Sequence, residues 1–128
     1  MTEKEFDIVT LGELLIDFTE SGLSKDGGHL FEQNAGGAVA NVACAAKKLL
    51  LNTAFIGKVG DDMHGRFLKA TLDDVGVNTS GLVISKDVFT TLAFVSLSEN
   101  GEREFSFARK PGADTALKTS EVDESLLK

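Results

Sequence analysis

The chain has 128 residues, of which 42% are hydrophobic and 26% charged, a length and balance that suit one globular domain. Its formal net charge of −7, from 20 acidic and 13 basic residues, argues against nonspecific binding to nucleic acid or to an anionic membrane, both of which need a basic face. Cys44 is the only cysteine, no apolar run is long enough to span a membrane, and the start MTEKEFD lacks the apolar stretch of a secretory signal, a combination that points to a reduced, cytoplasmic setting.

From the N-terminus, FDIVTLGELLIDFTE (6–20) reads as strand, bent at Gly12. Beyond the bend Leu14, Ile16 and Phe18 alternate with Leu15, Asp17 and Thr19, so Asp17 points away from the apolar side. Residues 21–29 have loop composition, and LFEQN (30–34) is a short strand. Residues 38–50 are Ala-rich and carry Lys47 and Lys48 in the last turn, which predicts a helix. TAFIGKVG (53–60) is a strand. Residues 61–75 form an amphipathic helix that opens on the capping candidates Asp61 and Asp62, carries Leu68, Leu72 and Val75 at helical spacing, and stops at Gly76. GLVIS (81–85) is another strand, and residues 121–128 begin a helix.

Residues 90–109 hold two alternating runs around Asn100-Gly101, the strongest short-range hairpin signal. A two-residue turn there pairs Ser96 with Phe105, Phe94 with Phe107 and Leu92 with Arg109. It places all six on one face, aromatic with an arginine at its far end. Strands alternating with helices predict a parallel, doubly wound α/β sheet, to which the hairpin is an appendage.

Standard phosphate loops are missing: neither G-x-x-x-x-G-K-[ST] nor G-x-G-x-x-G occurs. Gly36-Gly37 stands before the Ala-rich helix with Asn41 in its first turn. Glycines let a ligand approach the backbone, a helix start offers free N–H groups, and the Asn41 amide both donates and accepts. This suits a polyhydroxyl ligand; a tight strand-to-helix turn with no ligand is the alternative. Asp17 is either a hydroxyl acceptor or an exposed strand carboxylate. His29 and His64 are far apart, form no metal-ligand set and are expected at the surface. Cys44 is expected to be a small buried hydrophobe. No Ser-His-Asp or Cys-His set is present.

The segments GELLIDF, NAGGAVANVACAAKKL, AFIGKVGDDMHGRFL and TTLAFVSLSENGEREFSFARKPGAD together resemble the ribokinase-like, PfkB-type sugar kinases, fructokinases among them. They cover nearly the whole chain in the family's order. Val39 departs from the pattern, where the family usually has proline. The resemblance implies a doubly wound, Rossmann-like, mostly parallel sheet with a small β-sheet lid, here in segments of about 14–34 and 88–112. It implies that Asp17, Gly36, Gly37 and Asn41 bind sugar hydroxyls, with Phe107 and Arg109 of the lid closing over them. It also implies ATP and Mg2+ as co-substrate and ion of the longer enzyme, bound mostly outside this chain in a C-terminal half that is absent here, and a homodimer formed through the lid. The family's Gly-Ala-Gly-Asp motif, which supplies the catalytic base, has no counterpart here, so the chain is expected to be the N-terminal part of a longer enzyme, without a catalytic residue of its own and inactive alone. Fructose is the expected acceptor; ribose, 2-keto-3-deoxygluconate or a nucleoside is the alternative, as is a non-catalytic sugar-binding or self-association module.

Overall fold

The computed structural model describes residues 3–128. Two sheets share the chain. The first is parallel, in the order β1 (Ile8–Leu11), β4 (Thr53–Gly60), β5 (Asn78–Ser85). The second has four strands in the order β3 (His29–Gly36), β2 (Leu15–Leu23), β6 (Leu92–Leu97), β7 (Arg103–Ala108). In it β2 runs parallel to β6 and antiparallel to β3, and β7 is antiparallel to β6.

Helices α1 (Ala38–Lys48) and α2 (Met63–Val75) pack against the first sheet and against each other. Strand β4 is buried along its whole length, as expected of a central parallel strand covered on both sides. Its Phe55 and Val59 meet Leu68, Leu72 and Ala43 from the helices, joined by Leu14 and Ile16. Each fully buried Leu or Phe contributes about 1.5–3 kcal/mol of transfer free energy. The other side of β4 is covered by the C-terminal segment, where Lys58 Nζ donates to the Ala116 carbonyl (3.1 Å) and to the Glu121 carboxylate (2.8 and 3.0 Å). That segment forms three 3-10 turns (Ala113–Thr115, Thr119–Glu121, Glu124–Leu127) where the sequence predicts a helix start over 121–128.

The α/β class and the separate small β-sheet follow the sequence expectation. Residues 6–20 are two strands in different sheets, because the chain turns at Gly12: a Cβ there would overlap the Val39 side chain. Strands β2 and β3 reach into the predicted loop and leave only residues 24–28 as connection. The hairpin stays outside the parallel sheet, as expected, and β6 is hydrogen-bonded to β2 in the four-stranded one.

The hairpin register is one residue away from the predicted one. Gly101 donates its N–H to the Ser98 carbonyl (2.9 Å), and Ser98 N–H to the Glu102 carbonyl (2.7 Å). Gly101 is left-handed at φ 77°. This is a three-residue loop with a type I turn and a glycine bulge, not a two-residue turn. Leu92 therefore pairs with Ala108, Phe94 with Ser106 and Ser96 with Glu104. Phe94 lies on the face opposite Phe105 and Phe107, which corrects the expectation that all three share a face with Arg109.

Asp62, the cap of α2, ties the helix to the strand entering the second sheet. Its carboxylate accepts from Gly65 N–H (2.7 Å), Thr90 N–H (2.9 Å) and Thr90 Oγ1 (2.8 Å). Burial acts to raise its pKa, but the hydrogen bonds from Thr90 and Gly65 outweigh it and hold the carboxyl below its ordinary value. Asp62→Ala should cost about 1–3 kcal/mol in urea unfolding at neutral pH. The depressed pKa makes this contribution fully present above the ordinary value of 3.8 and lost as pH falls further, so the gap between wild type and variant should narrow below that pH.

Candidate functional site

The turn joining β1 to β2 and the turn joining β3 to α1 lie against each other. Gly37, with φ 112°, caps α1, and a Cβ on it would run into the Glu13 carbonyl oxygen. A Cβ on Gly36 would overlap the Asp17 carboxylate. Both glycines are thus required by close approach, and what comes close at Gly36 is the functional candidate Asp17. Asn41 is exposed one turn into α1, its N–H bonded to the Gly37 carbonyl (2.9 Å).

The registers arrange the second sheet in rows. Asp17 stands beside Asn34 on β3 and Ala93 on β6, and Ala93 beside Phe107 on β7. The next row carries Thr19, Val95 and Phe105, and the last Leu97 and Arg103. Side chains opposite one another share a face, so Asp17, Asn34 and Phe107 project to the same side, away from the core residues Ile16 and Phe18. A cleft of about 270 Å³ opens on this face. Asp17, Thr19, Asn34 and Arg103 give it polar groups, and Val95, Leu97 and Phe105 an apolar wall.

Among the described residues Asp17 accepts no hydrogen bond. Burial pushes its carboxyl above the ordinary value, and the nearby Glu13 adds to the rise.

Arg109 lies over the Phe107 ring, with Cζ 5.1 Å from the centroid, as a cation–π pair. Its NH2 donates to Asp114 Oδ2 (2.8 Å) and to Glu13 Oε2 (3.3 Å). Glu13 in turn accepts from the first N–H of α1, that of Ala38 (3.4 Å), and Asp114 from Thr91 Oγ1. The arginine thus links the end of β7 to the two turns around Gly36 and Gly37.

Other sequence candidates fall outside this site. His29 is exposed, 3.9 Å from Glu20. His64 is not a free surface residue: its ring sits edge-on to Phe18 and Phe89, with Nδ1 buried. Cys44 is half-buried against the core, and burial raises its thiol pKa. Among the described residues there is no group of three His, Cys, Asp or Glu that could hold a metal. Asn34, Thr19 and Arg103 were missed in the sequence. Only the registers bring them beside Asp17, and neighbouring strands leave no local signal.

Residues 5–128 match the pfkB family carbohydrate kinases. The chain belongs to this family. It is 49% identical over 123 residues to the protein named Probable fructokinase-5 of Arabidopsis thaliana, covering 94% of this chain and 38% of that one. It is 46% identical to Fructokinase-1 of Zea mays, with the same two coverages of 94% and 38%. Among solved structures, fructokinase from Xylella fastidiosa superposes with a TM-score of 0.86 at 42% identity, over 92% of this chain and 37% of that one. The same enzyme with bound ATP gives 0.85 at 41% identity, over 92% and 37%. The chain therefore spans 38% of the length of these curated relatives, and its fold is the ribokinase-like fold of the pfkB kinases.

The ion pairs of Arg109 set an expectation for its removal. The Asp114 side chain is 1% exposed, so Arg109→Ala leaves a buried carboxylate with only Thr91 as partner. The Arg109 side chain is 30% exposed, which discounts the loss. Chemical denaturation should show a destabilisation of about 1–3 kcal/mol, and Asp114→Asn combined with Arg109→Ala should recover part of it.

Proposed function

We propose that this chain forms the acceptor side of an ATP-dependent fructokinase: it binds the sugar, and its four-stranded sheet is the lid over it. The observation that carries this is Asp17. A carboxylate with no protein partner, raised in pKa, stands over a glycine that leaves it room and faces a cleft with an apolar wall. A sugar matches that pattern, with hydroxyls for the carboxylate and C–H surface for Val95 and Phe105.

In this reading Asp17 and Asn41 hold sugar hydroxyls, and Gly36 and Gly37 admit the sugar to the backbone at the start of α1. Phe107, in the row of Asp17, shields the sugar from water, and Arg109 beside it supplies positive charge near the transferred group. MgATP would supply the γ-phosphoryl group that passes to a primary hydroxyl of the sugar. Neither the ion nor the base that takes the hydroxyl proton is assigned to a residue of this chain. Phosphoryl transfer rests on positioning and charge neutralisation, and what these residues do is fix the acceptor. The net charge of −7 and the lone cysteine support a cytoplasmic setting.

Calorimetric titration of the full-length enzyme that contains this chain, with D-fructose and with ATP, tests the reading. Asp17→Ala and Asn41→Ala should each weaken fructose binding roughly tenfold or more, with ATP affinity unchanged. An equal loss for both ligands would make the residues structural. Ribose, 2-keto-3-deoxygluconate and a nucleoside, titrated in parallel, decide the acceptor.

Strand β7 supports self-association through the lid. All six of its residues are exposed, it ends the sheet, and it carries the stacked rings of Phe105 and Phe107. Open edges of this kind pair with other chains unless they are blocked. The protein should sediment as a dimer, and Phe105→Glu should shift it toward monomer; a wild-type monomer at tens of micromolar would rule the lid dimer out.

A further inference from the structure

The Asp17 carboxylate has an immediate neighbour on the same face, Asn34, which stands directly opposite it in the β2–β3 pair. Residues so placed have Cβ atoms about 4.5–5.5 Å apart, yet the two side chains make no hydrogen bond to each other among the described residues. Asp17 leans over Gly36, the next position on that face of β3. Asn34 turns the other way: its one hydrogen bond among the described residues runs from Nδ2 to the Glu32 carbonyl at 3.5 Å, the limit of a hydrogen bond. Both side chains are half-buried, and both line the cleft. A carboxylate and an amide are thus splayed about a gap, each with most of its hydrogen-bonding capacity open.

The two groups differ in what they accept. An ionised carboxylate only accepts, so it takes a hydroxyl as donor. An amide both donates and accepts, so it takes the hydroxyl next to it in either role. We infer that Asn34 is a second sugar-binding residue of this site, which with Asp17 spans two adjacent hydroxyls of the ligand and so selects for a vicinal diol. This rests on the sugar-binding reading of Asp17. No larger side chain at position 36 is compatible with it, since the carboxylate then loses the room that keeps it apart from Asn34.

Calorimetry separates the two ideas. Asn34→Ala should weaken D-fructose binding about five- to tenfold, with the melting temperature unchanged, and Asn34→Asp should weaken it further by placing a second carboxylate beside the first. The same titrations with singly deoxygenated fructoses form double-mutant cycles. For one analogue, missing the hydroxyl that Asn34 reads, wild type and Asn34→Ala should bind equally; a neighbouring analogue should behave in this way with Asp17→Ala. If Asp17→Ala loses fructose while Asn34→Ala binds it like wild type, the inference fails and the site stands. A loss in Asn34→Ala that is the same for fructose and every analogue makes Asn34 structural and also overturns it. If the wild type binds no sugar, both readings fall.

Discussion

Two backbone turns touch, and the site exists because they do. Gly37 lets the start of α1 sit against the Glu13 carbonyl, Gly36 leaves room for the Asp17 carboxylate, and Gly12 accepts the Val39 side chain. Each contact needs an absent Cβ. The methyl groups of Val39 fill the notch at Gly12. The interlock sets the distance between the start of α1 and β2, and thus the distance between the free N–H groups of the helix and the carboxylate that faces the cleft.

Glu13 extends this lock to the second sheet. One carboxylate oxygen caps Ala38 N–H, and the other meets Arg109 at the end of β7. Asp114 holds the same guanidinium and is itself held by Thr91, next to the Thr90 that binds Asp62. A chain of polar contacts therefore runs from the start of α2, through the strand entering β6, to the start of α1. The four-stranded sheet is joined to the α/β body by this chain and by Ile16 and Phe18 on its inner face. Its outer strand β7 is exposed along its whole length.

What could be read from sequence was local. Strand β4, the cap Asp62 and the stop at Gly76 follow from burial pattern and end chemistry, and the structure has them where the sequence placed them. The segments around Gly36-Gly37 identified the family because several sparse motifs fell in order. Pairing was not legible. Asn100-Gly101 fits both a two-residue turn and a three-residue loop with a glycine bulge, and the choice moves Phe94 to the opposite face. The parallel pairing of β2 with β6 joins residues more than seventy positions apart, and nothing in either strand announces it. Asn34 and Arg103 were lost for the same reason. Arg109 was read as facing a ligand because an arginine at the end of an apolar face needs a partner; the carboxylates of Asp114 and Glu13 that also hold it come together only in the fold.

Three aspartates show how the structure separates framework from site. Asp62 receives three hydrogen bonds, and its pKa is depressed. Asp114 is almost fully buried but meets a guanidinium and a hydroxyl. Both are satisfied within the fold, and both hold elements together. Asp17 has neither a cation nor a donor among the described residues; burial and Glu13 act on it in the same unfavourable direction. In the proposed reading a ligand hydroxyl supplies the missing donor. The unfavourable environment of Asp17 is thus the physical mark that distinguishes it from the other two.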